Sequence, residues 1–104
     1  ITIAHGLGVT PKQVRISCVA TTGIGTIATE SFGAYDGTNN SCAFIYRDTG
    51  TGNGLVGNST TRCIYLESSG TISQFTITVD ATNITVTVQT NDELAFRYQW
   101  EAIG

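Results

Sequence analysis

The 104-residue sequence predicts an all-β chain: one antiparallel sandwich or barrel of seven or eight strands. Three observations carry this. Apolar residues recur at period two through most of the chain, turn signals fall every ~8 to 12 residues, and no segment has helical periodicity. The length suits one domain, residues 1–104, with a core that needs no metal or disulfide framework. The chain begins at Ile1 and contains no Met, so the expectation is a fragment, a processed product or the C-terminal module of a longer chain.

Ile1 to Ala4 is a short β-like run ending at the glycines of His5-Gly6-Leu7-Gly8, and Pro11 pins the chain before the next strand. Gln13 to Thr21 alternates, with Val14, Ile16, Cys18 and Ala20 inward and Arg15, Ser17 and Val19 outward. Thr22 to Gly25 is a turn, and Thr26 to Tyr35 returns as a weaker strand interrupted by Gly33.

After the turn at Asp36 to Asn40, Ser41 to Asp48 sets Cys42, Phe44 and Tyr46 against Ala43, Ile45 and Arg47. Both of its faces hold apolar groups, so cover on two sides is expected. Thr49 to Asn58 reads as a glycine-rich irregular loop. Ser59 to Glu67 resumes the β pattern, with Cys63 and Tyr65 opposite Ile64 and Leu66.

Thr71 to Ala81 and Ile84 to Gln89 form a hairpin about Thr82-Asn83, with Phe75, Ile77, Val79, Ile84, Val86 and Val88 inward. The last strand, Leu94 to Gly104, places Leu94, Phe96, Tyr98, Trp100 and Ala102 on one face and Arg97, Gln99 and Glu101 on the other. It holds the only Trp, so the core is expected to centre on it.

Chemistry is sparse. Charged residues are 12% of the chain and the net charge is -3, so no basic patch exists to hold nucleic acid. No run approaches the ~18 apolar residues of a membrane span. Cys18, Cys42 and Cys63 are widely spaced, without a CxxC, and read as buried free thiols; a pair across facing strands is the other possibility.

Asp48-Thr49-Gly50 spells the aspartic-protease triplet, but Arg47 precedes it and Thr51 follows, so it reads as a turn. Gly52 to Gly57 matches GxGxxG without the helix that a dinucleotide site needs. His5, the only histidine, lacks a triad and is expected to make a structural hydrogen bond. The carboxylates are dispersed, with no calcium loop. The sequence thus names no catalytic residue, metal or cofactor, and the expectation is a non-enzymatic protein. Sequons at Asn39, Asn58 and Asn83 matter only in a eukaryotic secretory pathway.

Candidate ligand residues fall in polar loops, where Tyr35, Asp36, Asn39, Asn40, Asp48 and Asn53 offer amides, carboxylates and a stacking ring. Tyr46 is a second possible stacking ring. Arg97, Gln99 and Glu101, on the outward face of the last strand, are candidates for a subunit interface.

Three blocks carry a resemblance. His5-Gly6-Leu7-Gly8-Val9-Thr10-Pro11-Lys12-Gln13-Val14 resembles the opening of a small β-sandwich domain common in tailed-phage virion proteins, including tail fibres and capsid-associated proteins. Phe32 to Thr38 followed by Cys42 is similar to its second block, and Phe75-Thr76-Ile77 before Trp100-Glu101-Ala102-Ile103-Gly104 to its close. The ending is also similar to that of H-type lectins, which finish on a Trp-x-Ala-x-Gly strand and form trimers of antiparallel sandwiches.

The resemblance implies a trimeric β-sandwich on the outer surface of a virion, decorating the capsid or ending a fibre. Its partners would be copies of itself and other virion proteins. The alternative it implies is a module that binds a host-surface glycan, although the lectins' sugar-contacting residues are not matched at positions of this chain.

Overall fold

A computed structural model describes residues 1–20, 27–48, 53–68, 71–91 and 96–104. Nine strands form two antiparallel sheets: β1 (Thr2–Ala4), β2 (Gln13–Ala20), β3 (Ile27–Tyr35), β4 (Asn40–Asp48), β5 (Asn53–Ser59), β6 (Ile64–Ser68), β7 (Thr71–Val79), β8 (Asn83–Asn91) and β9 (Phe96–Ile103). The smaller sheet runs β1-β8-β7-β6 and the larger β5-β4-β3-β2-β9. Each is a meander completed by a strand from the opposite end of the chain. β1 joins β8, and β9 joins β2.

The sheets pack as a sandwich, with β6 lying over β2, β3 and β4. The core is Val14, Ile16 and Cys18 from β2, Cys63, Ile64 and Leu66 at β6, and Phe75, Ile77, Ile84 and Val86 from the β7–β8 hairpin. Packing these against each other removes apolar area that is worth about 25 cal/mol per Å².

β6 is an edge strand buried over another sheet, which leaves main-chain donors away from water. Two hydroxyls from the inner face of β3 meet them. Ser31 Oγ accepts from Tyr65 N–H (3.1 Å), and Thr29 Oγ1 from Glu67 N–H (3.2 Å). Beyond the reach of β6, the free edge of β7 is closed by the Asn40 amide, which accepts from Ile77 N–H (2.7 Å) and donates to Ile77 C=O (3.2 Å). Thr29, Ser31 and Asn40 thus stitch one sheet to the other, and the first two are fully buried for that reason.

Several expectations change. The core does not centre on the last strand. β9 is the edge of its sheet, where only Phe96 and Ala102 pack on the core, while Tyr98 and Trp100 are 39% and 37% exposed. Leu94 lies outside the described residues. The supposed irregular loop contains β5, paired with β4 from Cys42↔Ser59 to Asp48↔Asn53. Pairing with a nine-residue neighbour overrides the low strand preference of glycine, and Gly57 supplies bare backbone for the Phe44 ring to lie against.

Val88 shares a face with buried Phe75 but is half exposed, next to a register shift at Gln74/Phe75. The hairpin turn sits one residue earlier than its sequence suggested, at Asp80 to Asn83, closed by Asp80 N–H to Asn83 C=O (3.0 Å). Among the described residues there are nine strands, where the sequence suggested about seven or eight.

Candidate functional site

Residues opposite each other in an antiparallel pair share a face. The registers therefore write out the outer face of the larger sheet, from β9 to β5. One row is Arg97, Val19, Glu30, Ile45 and Val56; the next is Gln99, Ser17, Phe32, Ala43 and Asn58; the third is Glu101, Arg15, Ala34 and Ser41. Phe32 stands at the centre of this grid, 52% exposed between small residues, and Val56 is 77% exposed at the rim. Val19 and Ile45 are also exposed.

These apolar side chains adjoin one another on a face that no described element covers. Contiguous exposed apolar surface of this kind marks interaction sites on soluble proteins. Two depressions flank Phe32. The larger, about 680 Å³, is an open groove bordered by Arg15, Phe32, Ser41, Asn58, Gln99 and Glu101. The smaller, about 430 Å³, runs between Glu30, Phe32 and Arg97. The small side chains of Ser17, Ala34 and Ala43 set the depth of the floor around the ring.

The candidate interface residues Arg97, Gln99 and Glu101 lie side by side on the β9 margin of this face, all exposed. The candidate loop residues do not converge. Tyr35, Asp36, Asn39 and Asn40 belong to the β3–β4 turn, whereas Asp48 pairs with Asn53 at the far end of β4, about 26 Å away at 3.3 Å per residue.

Three of the first group are engaged in the fold. Tyr35 packs on the core, Asn40 bonds Ile77, and Asp36 Oδ1 accepts from Thr38 N–H (2.9 Å) and Asn39 N–H (2.7 Å). Those bonds, Asn39 before Thr38, hold the Asp36 carboxyl below its ordinary range.

No protein-family model, curated protein or solved structure matches the chain.

His5 is buried, and its ring is used: Leu7 N–H donates to Nδ1 (3.2 Å), which places the proton on Nε2, facing Asp80 C=O at 3.0 Å. Asp48 ends β4, and Thr49 and Gly50 of the DTG triplet lie outside the described residues.

Cys18, Cys42 and Cys63 are buried free thiols gathered around Gly33 and Ser31. Burial pushes Cys18 and Cys63 up to about 12, away from the thiolate that nucleophilic or metal chemistry needs. Among the described residues no group of three His, Cys, Asp or Glu side chains is placed to hold a metal ion. Among the described residues no helix is long and apolar enough to cross a membrane.

Sequence reasoning missed Phe32, the centre of the face. A signal existed in β4, whose two apolar faces imply two covers. The smaller sheet provides one, and no described residue provides the other.

Proposed function

We propose that this chain is a non-enzymatic structural module of a tailed-phage virion, a β-sandwich on the particle's outer surface that assembles with copies of itself and with neighbouring virion proteins. The observation that carries the reading is the uncovered outer face of the larger sheet, with Phe32, Val19, Ile45 and Val56 exposed beside Arg97, Gln99 and Glu101. An apolar centre with a charged and amide rim is the composition of a protein contact. The block resemblance supplies the virion context. It also implies a trimer; the edge geometry below favours a two-fold pair, and a solution mass separates them.

The test is mass spectrometry of purified particles from a culture that expresses the chain with its parent phage. The chain is expected as a stoichiometric component. Its confinement to the soluble lysate, with none on particles, contradicts the reading.

A glycan-binding module is the second reading, favoured by the groove in which an exposed ring adjoins Arg15, Ser41, Asn58, Gln99 and Glu101. Sugars bind where a ring face meets amides and carboxylates. A glycan array with a hit that Phe32→Ala removes would establish it, and an array without hits removes it.

A further inference from the structure

β9 has one edge bonded to β2 and a second edge that faces no described strand. Which main-chain groups point out of that free edge follows from one bond. Lys12 N–H donates to Ile103 C=O (2.7 Å), so the Ile103 carbonyl is turned toward β2. Main-chain groups alternate sides along an extended strand. Arg97, Gln99 and Glu101 therefore direct theirs toward β2, and Tyr98, Trp100 and Ala102 direct theirs outward.

Natural edge strands are guarded by proline, lysine, bulges or shortness. This one has eight residues, FRYQWEAI, with no Pro and no Lys, and its two charges cancel. It is also self-complementary. With a second copy laid antiparallel and the two Gln99 residues opposite each other, Arg97 meets Glu101 of the second copy and Glu101 meets Arg97. On the other face Tyr98 meets Trp100, and Phe96 meets Ala102.

A two-fold axis normal to the sheet keeps each side chain on its own face, so only registers centred on a residue are allowed. Centring on Tyr98 sets Arg97 against Gln99, and centring on Trp100 sets it against Ile103. The Gln99 register alone among these pairs opposite charges. It also makes Tyr98 and Trp100 the hydrogen-bonded positions, as their outward groups require, and puts the Arg–Glu pairs at the non-hydrogen-bonded positions where side chains lie closest.

We infer that β9 is the two-fold contact of a homodimer, pairing antiparallel with itself about Gln99 to join two five-stranded sheets into one of ten. The inference rests on the reading that the chain self-assembles, and it specifies the contact. It accounts for the exposure of Tyr98 and Trp100, aromatics of the kind that anchor interfaces. Both copies keep their inner faces on the same side of the joined sheet, so the four rings meet over the axis, near the exposed Ile1 that shares a recess with Tyr98.

The experiment measures self-association of three forms by sedimentation. R97E sets acid against acid across the pair, and E101R sets base against base; each alone should associate at least ~10-fold more weakly than the unmodified chain. Mixed in equal amounts, the two should associate again, because each acidic position of one strand meets an arginine of the other. Unchanged association of the single variants, or no recovery on mixing, overturns the inference.

Q99C provides a check that does not depend on charge. At the axis its two thiols face each other at ~4.5 Å between α-carbons, within disulfide range, and glutathione disulfide should link the copies. No linked dimer overturns the pairing. A concentration-independent trimer overturns the pairing while leaving self-assembly intact; a monomer at every concentration removes both.

Discussion

The α-carbon of Gly33 lies directly beneath the main chain of Cys63, so that a methyl group there would overlap the Cys63 carbonyl. Gly33 is at the middle of β3, between Ile16 and Cys42, and its missing side chain lets the segment entering β6 descend onto the larger sheet. The Cys63 main chain cannot move aside cheaply, because its N–H bonds Phe75 C=O (2.9 Å).

Gly33→Ala should therefore cost about 3 kcal/mol or more, read as a fall in thermal midpoint of well over ~10 °C. Gly54→Ala, on β5 with only ordinary packing distance to Tyr46 C=O (3.4 Å), should be close to neutral. Equal effects at the two positions would refute the close approach.

The stitching between sheets predicts a second set of losses. Asn40→Ala leaves the part-buried main chain of Ile77 without a donor and an acceptor on the free edge of β7, and should cost roughly 2 kcal/mol or more by denaturant unfolding. Ser31→Ala strands Tyr65 N–H in a buried place and should cost about 1 to 3 kcal/mol. Thr38→Ala is the control, because Thr38 lends only its main chain to the Asp36 turn.

Much of the fold was legible because one face of each long strand is wet and the other dry. Val14, Ile16 and Cys18 against Arg15, Ser17 and Val19 need no more than period two to be sorted. What was not legible is where each strand sits across its sheet. The period of β9 is that of a core strand, and its inner residues do point inward; but at a sheet edge, inward carries Tyr98 and Trp100 past the cover. β5 was hidden for a related reason, since its glycines are tolerated by pairing and by the Phe44 ring. Of the candidate site, the outward placement of Arg97, Gln99 and Glu101 was legible from their polarity. Phe32 was not, because an aromatic beside Gly33 carries no sign of which side is covered.

The thiols should behave as core side chains. Burial, reinforced by the neighbouring cysteines, moves Cys18 and Cys63 from 9.0 to about 12. At pH 8 a thiol-exchange reagent should therefore react slowly with the native chain and promptly with all three cysteines in denaturant. The sign of the linkage follows: between pH ~9 and ~12 the unfolded thiols lose protons that the folded ones keep, so stability should fall as pH rises through that window. Rapid native reaction of Cys18 or Cys63 would refute their burial.

The acidic side has the opposite sign. Asp80 Oδ1 accepts from Asn83 N–H and Thr82 N–H, both at 2.7 Å, and these bonds, Asn83 first, with His5 a smaller contributor, hold its carboxyl below the ordinary value of 3.8. Asp36 does the same in its own turn. Their stabilisation is complete above that ordinary value and is lost as pH falls through the lower folded values. Melting midpoints of Asp36→Ala/Asp80→Ala should accordingly lie below those of the unmodified chain at pH 6, with the gap closing toward pH 2. A gap that is constant with pH would show that the carboxylate charge is not what matters.

The central claim is that the uncovered edge strand β9 of the larger sheet exists to meet another copy. The mass of the unmodified chain, followed by sedimentation from about 1 µM to about 1 mM, tests this most directly. The account predicts a reversible rise from 11.0 kDa toward twice that value, whereas a single 11.0 kDa species across the whole range would contradict it.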